Sequence, residues 1–534
     1  MKKIYINGDI YTITQGYVNS FVEEDGRFIY VGDQEGALSY QEEGSEMIDL
    51  DKCFVTAGFN DSHMHVLHYG NTLTSANLAN ATKSLKEILE CLKEHIEIYN
   101  IPENSWVKGW GWNNDYFEDV HRFPKRYDLD QVSTKHPIVI TRACGHICVC
   151  NSKALEMLGL DETLTSVEGG EFEIENSKLN GIFKENAIEL ITNGIPKPSV
   201  QEIKIMLQHA FSSLNAYGIT SAQTDDFLVF GDKDHVLEAY KQLEKEGKMT
   251  VKIYEQSQVT NLEDLKEFID AGYSTGVGSS YFKIGPLKLL IDGSLGARTA
   301  LMSEPYNDDP MVKGIKTFDQ DTLNEMVDYA SSNKMQVAIH AIGDQACEMV
   351  LDSYKYTLEK HPRQNHRHGI VHCQITRPDQ LERFKQMKLQ AYIQSIFLDY
   401  DIKIVEERIG KKKSESSYAF KTLFDYNHAS NGSDCPVELP NVLNGIQCAV
   451  TRKTLNGEGP YVIKEALSVE EALESYTING AYASFEENEK GSIEVGKVAD
   501  FVLLDHNPMK QDIYKIKDIQ VLKTYVDGKC VYSK

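Results

Sequence analysis

Basic residues are scarce relative to acidic ones: 55 Lys and Arg against 80 Asp and Glu leave a formal charge of -25 on 534 residues. Such an excess repels phosphate backbones and anionic lipid, so neither nucleic acid nor a membrane surface is an expected partner. Long apolar runs are missing as well. No segment approaches the ~20 residues needed to cross a bilayer. The start, "MKKIYINGDIYTITQG", lacks the apolar stretch of about 7 to 15 residues that a secretory signal carries. A cytoplasmic protein is therefore expected. The ten cysteines show no paired spacing, which points to reduced thiols rather than a disulfide framework. Repeats and low-complexity tracts are absent, and 41% apolar with 25% charged residues is the composition of a globular chain. The length suits two or three ordinary domains, or one large barrel with attachments.

What is present has a rhythm. From about residue 200 onward, short β-branched runs alternate with charged helical stretches, the pattern of βα units around a parallel sheet. Seven strands are expected at "GITSAQT" (218–224), "VKIYEQS" (251–257), "FKIGPLKLLIDG" (282–293), "MQVAIHAIG" (335–343), "GIVHCQ" (369–374), "LQAYIQS" (389–395) and "HASNGSD" (428–434). With "FVTAGFNDSHMH" as the first strand the count is eight, the number that closes a (β/α)8 barrel. The fold class expected is α/β, a TIM-like barrel spanning 56–485.

About 150 residues separate the first two of these strands, far more than one helix needs, so an insertion at about 71–200 is expected after strand one. It rises from the barrel face on which active sites are built, which makes it a candidate lid or substrate wall. Residues 1–55 and 486–534 read as short strands punctuated by Asn-Gly and Asp-Gly turns. Neither end makes a stable sheet alone, so one small β-sandwich assembled from both is expected. In "TRACGHICVCNS", Cys144, His146, Cys148 and Cys150 alternate as on one strand face. That spacing is unlike a zinc knuckle, and buried thiols are the favoured reading.

"GFNDSHMHVLHYG" places two imidazoles, His63 and His65, one residue apart. On a strand, residues i and i+2 share a face, so both rings reach one point in space while Met64 turns away into packing. Two neighbours make no metal site, which needs three or four ligands. The barrel supplies the others, because all its strand ends gather on one face. His63 and His65 end strand one, Lys288 lies in strand four, His340 ends strand five, His372 ends strand six and Asp434 ends strand eight. Each has an ordinary reading alone: a satisfied core histidine, a snorkelling lysine, a capping aspartate. Together they make a metal site the better account, with imidazole and carboxylate suited to zinc, iron, manganese or nickel.

These residues also resemble a family. "GFNDSHMHV" is similar to the H-x-H signature of the amidohydrolase superfamily, and the order H-x-H, Lys, His, His, Asp follows its ligand series. "GWGW", "GHICVCNSKAL", "LKLLIDGSLGARTA", "IHAIGDQA", "SDCPV" and "GSIEVGKVADFVLLD" together look like the YtcJ-like branch, amidohydrolase family 3, over nearly the whole chain. The resemblance implies metal-dependent hydrolysis, often of small amides such as N-substituted formamides. It further implies one or two divalent ions per chain, zinc first among them. His63 and His65 would hold the more buried ion and His340 and His372 the second. Lys288, N6-carboxylated, would bridge them, and Asp434 would contact the first. The carbamate needs a neutral amine, and burial beside cations disfavours the ammonium form.

Asp434 is the expected base, taking a proton from the attacking water and passing it to the leaving nitrogen. Arg142, His146 and Arg298 are candidate substrate-binding residues, with loop-tying as the alternative. Trp110 and Trp112 are expected to pack under the insertion rather than wall the pocket, and His68 is not counted as a ligand. The expected partners are a small-molecule substrate and, at most, further copies of the chain. The rival readings are a mononuclear deaminase-like hydrolase in which Lys288 is a bystander, and a non-catalytic scaffold that retains the fold.

Overall fold

The computed structural model describes residues 1–534 except 80, 82, 144–146, 168, 169 and 186. Eight strands follow one another in a parallel sheet: β1 (Phe59–Met64), β2 (Ile219–Thr224), β3 (Lys252–Gln258), β4 (Phe282–Leu290), β5 (Val337–Ala341), β6 (Gly369–His372), β7 (Gln390–Ile393) and β8 (Ser430–Asn431). Each pairs with its sequence neighbour in parallel register. The eight predicted runs thus become the eight strands of the (β/α)8 barrel. Nearly every residue in them is buried, because a barrel packs side chains on both faces and leaves no polar side to alternate with.

The first and last strands meet just past β8, where Asp434 N donates to His63 O at 2.8 Å and His65 N donates to Cys435 O at 2.8 Å. The approach is so close that a Cβ on Gly432 would lie 2.6 Å from His63 N. Only glycine fits there.

Helices return the chain between strands and begin where the sequence offers caps. Asp232 accepts from His235 N at the start of Lys233–Lys245, Asn261 caps Leu262–Asp270, and Asp319 caps Gln320–Ser332. Each cap satisfies one of the unpaired amides of a first helical turn.

Strands from both ends of the chain share a six-stranded sheet. Phe54–Ala57 pairs antiparallel with Phe501–Leu504, which continues into Val521–Val526 and Lys529–Ser533. A second sheet of four strands is built from residues 3–49. Aromatic rings join the two sheets: Tyr5 stacks on Phe21 at 4.5 Å, Phe21 meets Phe501 at 5.1 Å, and Phe501 stacks on Tyr525 at 4.4 Å. Neither end has enough apolar surface to stand alone, and shared ring packing supplies it.

By its internal contacts the chain forms two compact units, Met1–Val66 with Ala210–Lys534, and Leu67–His209. The second contains its own six-stranded sheet and the helix Leu85–Ile98, with Ile88, Leu92, Val107, Trp112, Ile140 and Val149 in its core. Trp112 packs as expected, but Trp110 is 57% exposed. Because β-strand side chains alternate, the two tryptophans of "WGW" would share a face in a regular strand. The register slips between them where Val107–Trp112 pairs with Ile138–Arg142. The cysteine stretch also differs from a single strand: Ile138–Arg142 and Ile147–Cys150 pair antiparallel. Cys148 and Cys150 are buried thiols, while Cys144 lies outside the described residues.

No helix among the described residues is long and apolar enough to cross a membrane.

Candidate metal centre

The rim formed by the strand C-termini gathers the six residues expected there. One ligand atom each of His63, His65 and Asp434 lies within 4.8 Å of the others. Asp434 Oδ1 is 3.1 Å from His65 Nε2 and 3.4 Å from His63 Nε2. Lys288 Nζ is 3.3 Å from His63 Nε2 and 4.0 Å from the Asp225 carboxylate. The His372 ring lies 5.5 Å from that of His63 and 4.4 Å from that of His340. Met64, between the paired histidines, is fully buried.

Two residues of the rim have a left-handed backbone. His372 has φ 82° and Asp434 φ 57°, a left-handed region that costs a branched or bulky residue energy and recurs where function over-determines position.

Burial dominates the electrostatics. It pushes His63 down to about 3, with Lys288 beside it adding to the fall. It pushes His372 well below the usual range, helped by His340. Both rings are neutral and therefore able to ligate. Burial likewise lowers Lys288, only partly offset by Asp225 and Asp434. Burial would raise Asp434, yet the neighbouring His63 and His65 rings outweigh it and hold the carboxyl well below its ordinary value. For His65 burial acts downward, but the Asp434 hydrogen bond and charge prevail and raise the ring to about 9.

Several residues that matter here were not singled out from sequence. Gln256 Oε1 sits 2.7 Å from His63 Nδ1, and Gln394 Oε1 2.8 Å from His372 Nδ1. The Asp225 carbonyl is 3.3 Å from His65 Nδ1. Asp292 accepts from the backbone N–H of Ile342, Gly343 and Leu301 at 2.8–3.1 Å and so ties the ends of β4 and β5 together. The available signal was a polar residue at the C-terminal end of a strand, as in "YEQS", "YIQS" and "LIDG".

These residues suit a divalent cation. The donor set combines imidazole nitrogens, a carboxylate and a buried amine held toward neutrality, the chemistry that zinc and its neighbours prefer. One nitrogen makes the point on its own. His340 Nδ1 is 3.1 Å from Asp292 Oδ1, but out of line for a hydrogen bond, and it is a buried polar atom with no hydrogen-bonding partner. Such an atom is costly unless something else coordinates it.

Two of the three weaker candidates have carboxylate or amide partners of their own. Arg298 donates to both oxygens of Asp308, at 3.2 and 2.7 Å, and Asp308 also accepts from Arg408. This joins the segment after β4 to the one after β7. Arg142 belongs to the Leu67–His209 unit, where it donates to Asn113 and Asp115 at 2.8 Å. His146 lies outside the described residues.

The sequence profile of the amidohydrolase family matches residues 46–532. The chain is 32% identical over 545 aligned positions to a putative amidohydrolase, YtcJ, of Bacillus subtilis, covering 100% of both. It is 25% identical to an N-substituted formamide deformylase of Arthrobacter pascens, covering 99% of this chain and 98% of that one. Among solved structures, an uncharacterised metal-dependent hydrolase from Pyrococcus furiosus superposes with a TM-score of 0.80 at 30% identity, covering 96% of this chain and 100% of the other.

Proposed function

The chain belongs to the amidohydrolase family, and from that premise we propose that this hydrolase cleaves a carbon–nitrogen bond of amide, N-acyl or N-formyl type in a small molecule. The observation that carries the reading is the convergence of His63, His65 and Asp434 within 4.8 Å, beside a buried lysine of lowered pKa. The formamide-cleaving relative adds support for the bond class.

His63, His65, His340, His372 and Asp434 would hold the metal, zinc first among candidates. Lys288, once carboxylated, would contribute an anionic bridge. A divalent ion held there supplies Lewis acidity, polarising a substrate carbonyl and making water more acidic. The remaining work belongs to the protein. Asp434 accepts a proton from the attacking water at Oδ1 and delivers it to the departing nitrogen, which leaves poorly as an anion. The His65 ring, 3.1 Å from Oδ1, helps to hold that oxygen in place. His63 and His372, kept neutral by burial, remain ligands over the whole neutral range.

A second reading has its own support. The His63, His65 and Asp434 triad is the one group of three His, Cys, Asp or Glu ligand atoms this close among the described residues, as a mononuclear site would need. Metal analysis separates the two: about two ions per chain with a carboxylate adduct on Lys288, or one ion with free lysine. A metal-replete preparation should hydrolyse members of an N-acyl, N-formyl and lactam panel. Failure on the whole panel, together with failure to bind metal, would leave the non-catalytic scaffold in possession.

A further inference from the structure

We propose that Gln256 and Gln394 are positioning residues that lock His63 and His372 in their Nδ1–H tautomers, so that both rings offer Nε2 to a divalent cation. The inference rests on the metal reading for its purpose but not for its geometry.

A glutamine facing an imidazole nitrogen at 2.7 or 2.8 Å can present either its oxygen or its amino group. Its other end decides which. Gln256 Nε2 lies 3.1 Å from the carbonyl oxygen of Ser62, and Gln394 Nε2 lies 3.1 Å from that of Tyr392. A carbonyl only accepts, so each amino group is committed to the backbone. The end facing the ring is then oxygen, which also only accepts, and Nδ1 must carry the proton. A neutral imidazole has one proton to place. Nε2 is left with its lone pair, and for His63 that atom faces Asp434 and Lys288.

Burial makes the choice hold. Gln256 is 0% exposed and Gln394 2%, with their rings at 1% and 2%, so water cannot readily replace the amide and permit the other tautomer. The device occurs twice, from different strands. Gln256 near the end of β3 serves a ring of β1, and Gln394 just after β7 serves a ring of β6. Both glutamines occupy the third position of the same local pattern, "YEQS" at 254–257 and "YIQS" at 392–395. Partners behind the ligands commonly set ring orientation and ligand basicity in this way.

The test uses the full-length protein with 15N-labelled histidine, freed of metal and held at pH 8. Long-range proton–nitrogen correlation spectra report which ring nitrogen is protonated, and the signals are assigned through His63→Gln and His372→Gln. Both rings should appear as Nδ1–H. Gln256→Met and Gln394→Met should release the corresponding ring and weaken zinc binding about 10- to 100-fold in chelator competition, with an unchanged circular dichroism spectrum. Gln256→Glu and Gln394→Glu should retain the lock, because a buried neutral carboxylic acid donates and accepts at the same two positions. An Nε2–H signal from either ring in the unmutated protein would overturn the proposal. So would zinc affinity unchanged in both Met variants. If the protein bound no zinc yet both rings were Nδ1–H, the metal reading would fall and the tautomer lock would stand.

Discussion

Buried charge collects at both ends of the barrel, and the two ends handle it differently. At the floor, Lys252 Nζ at the start of β3 lies 2.7 Å from both oxygens of Asp500 and 2.7 Å from Asp527, whose other oxygen accepts from Tyr281 at 2.6 Å. Beside it Glu486 accepts from Lys283 at 2.6 Å and from Lys490 at 2.7 Å. Every charge there meets its opposite. At the rim, one carboxylate, Asp434, is shared by two imidazoles, one of which, His63, also faces the Lys288 amine, while the Nδ1 of a third imidazole, His340, makes no hydrogen bond. Burying ionisable groups is costly unless they are paired. The floor closes its pairs internally and serves the fold by joining the C-terminal segment to the barrel. The rim is rich in donors that only an external cation would match, which is how a binding site differs from a structural ion cluster.

That contrast is open to attack from both ends. The largest effect is expected at the rim: Asp434→Asn should lower kcat by roughly 10²- to 10⁴-fold with the circular dichroism spectrum retained. His63→Ala should abolish metal binding, as read by metal content after gel filtration. At the floor the loss should appear as stability instead. Lys252→Met leaves Asp500 and Asp527 facing each other without a cation, at a cost of about 3–5 kcal/mol in urea unfolding, while metal content stays unchanged. Equal loss of metal in both variants would erase the distinction.

A pH dependence also belongs to the floor. Burial would raise Glu486, but Lys490 and Lys283 outweigh it and lower the carboxyl to about 2. Since its folded pKa lies below the unfolded value near 4.5, its contribution to stability is present above about pH 4.5 and fades as pH falls toward 2. Glu486→Gln should therefore flatten the acid limb of the Tm profile over that window and leave the profile above it parallel to the unmutated one. The smallest effect is expected from Met64→Leu, which conserves buried volume between two ligands: less than about 1.5 kcal/mol and no change in metal content. Loss of metal there would refute the inward and outward alternation along β1.

Much of the rim was legible beforehand for a simple reason. A parallel barrel brings every strand's C-terminal end to one face, so histidines 63 and 372, over 300 positions apart, could be placed together once the strands were counted. What could not be read were residues whose importance lies in a partner. Gln256 and Gln394 are ordinary glutamines until the rings they hold are located. Asp292 shows its role only when the amides of Ile342, Gly343 and Leu301 converge on it. Arg298, open to a substrate role by residue type, donates to Asp308, a partner only ten positions away that no periodicity reveals.

The sequence by itself determined the strand succession and the chemical inventory of the rim, because hydrophobic period and residue type are local properties. Tertiary structure alone decided which nitrogen of each ring faces inward, which buried charges are paired and which are left in surplus. Those depend on hydrogen-bond distances between residues far apart in the chain, and such distances exist only after the barrel closes. The "HMH" of β1 specifies two rings on one face. The carboxylate between them comes from just past β8, and the amide behind one of them from β3.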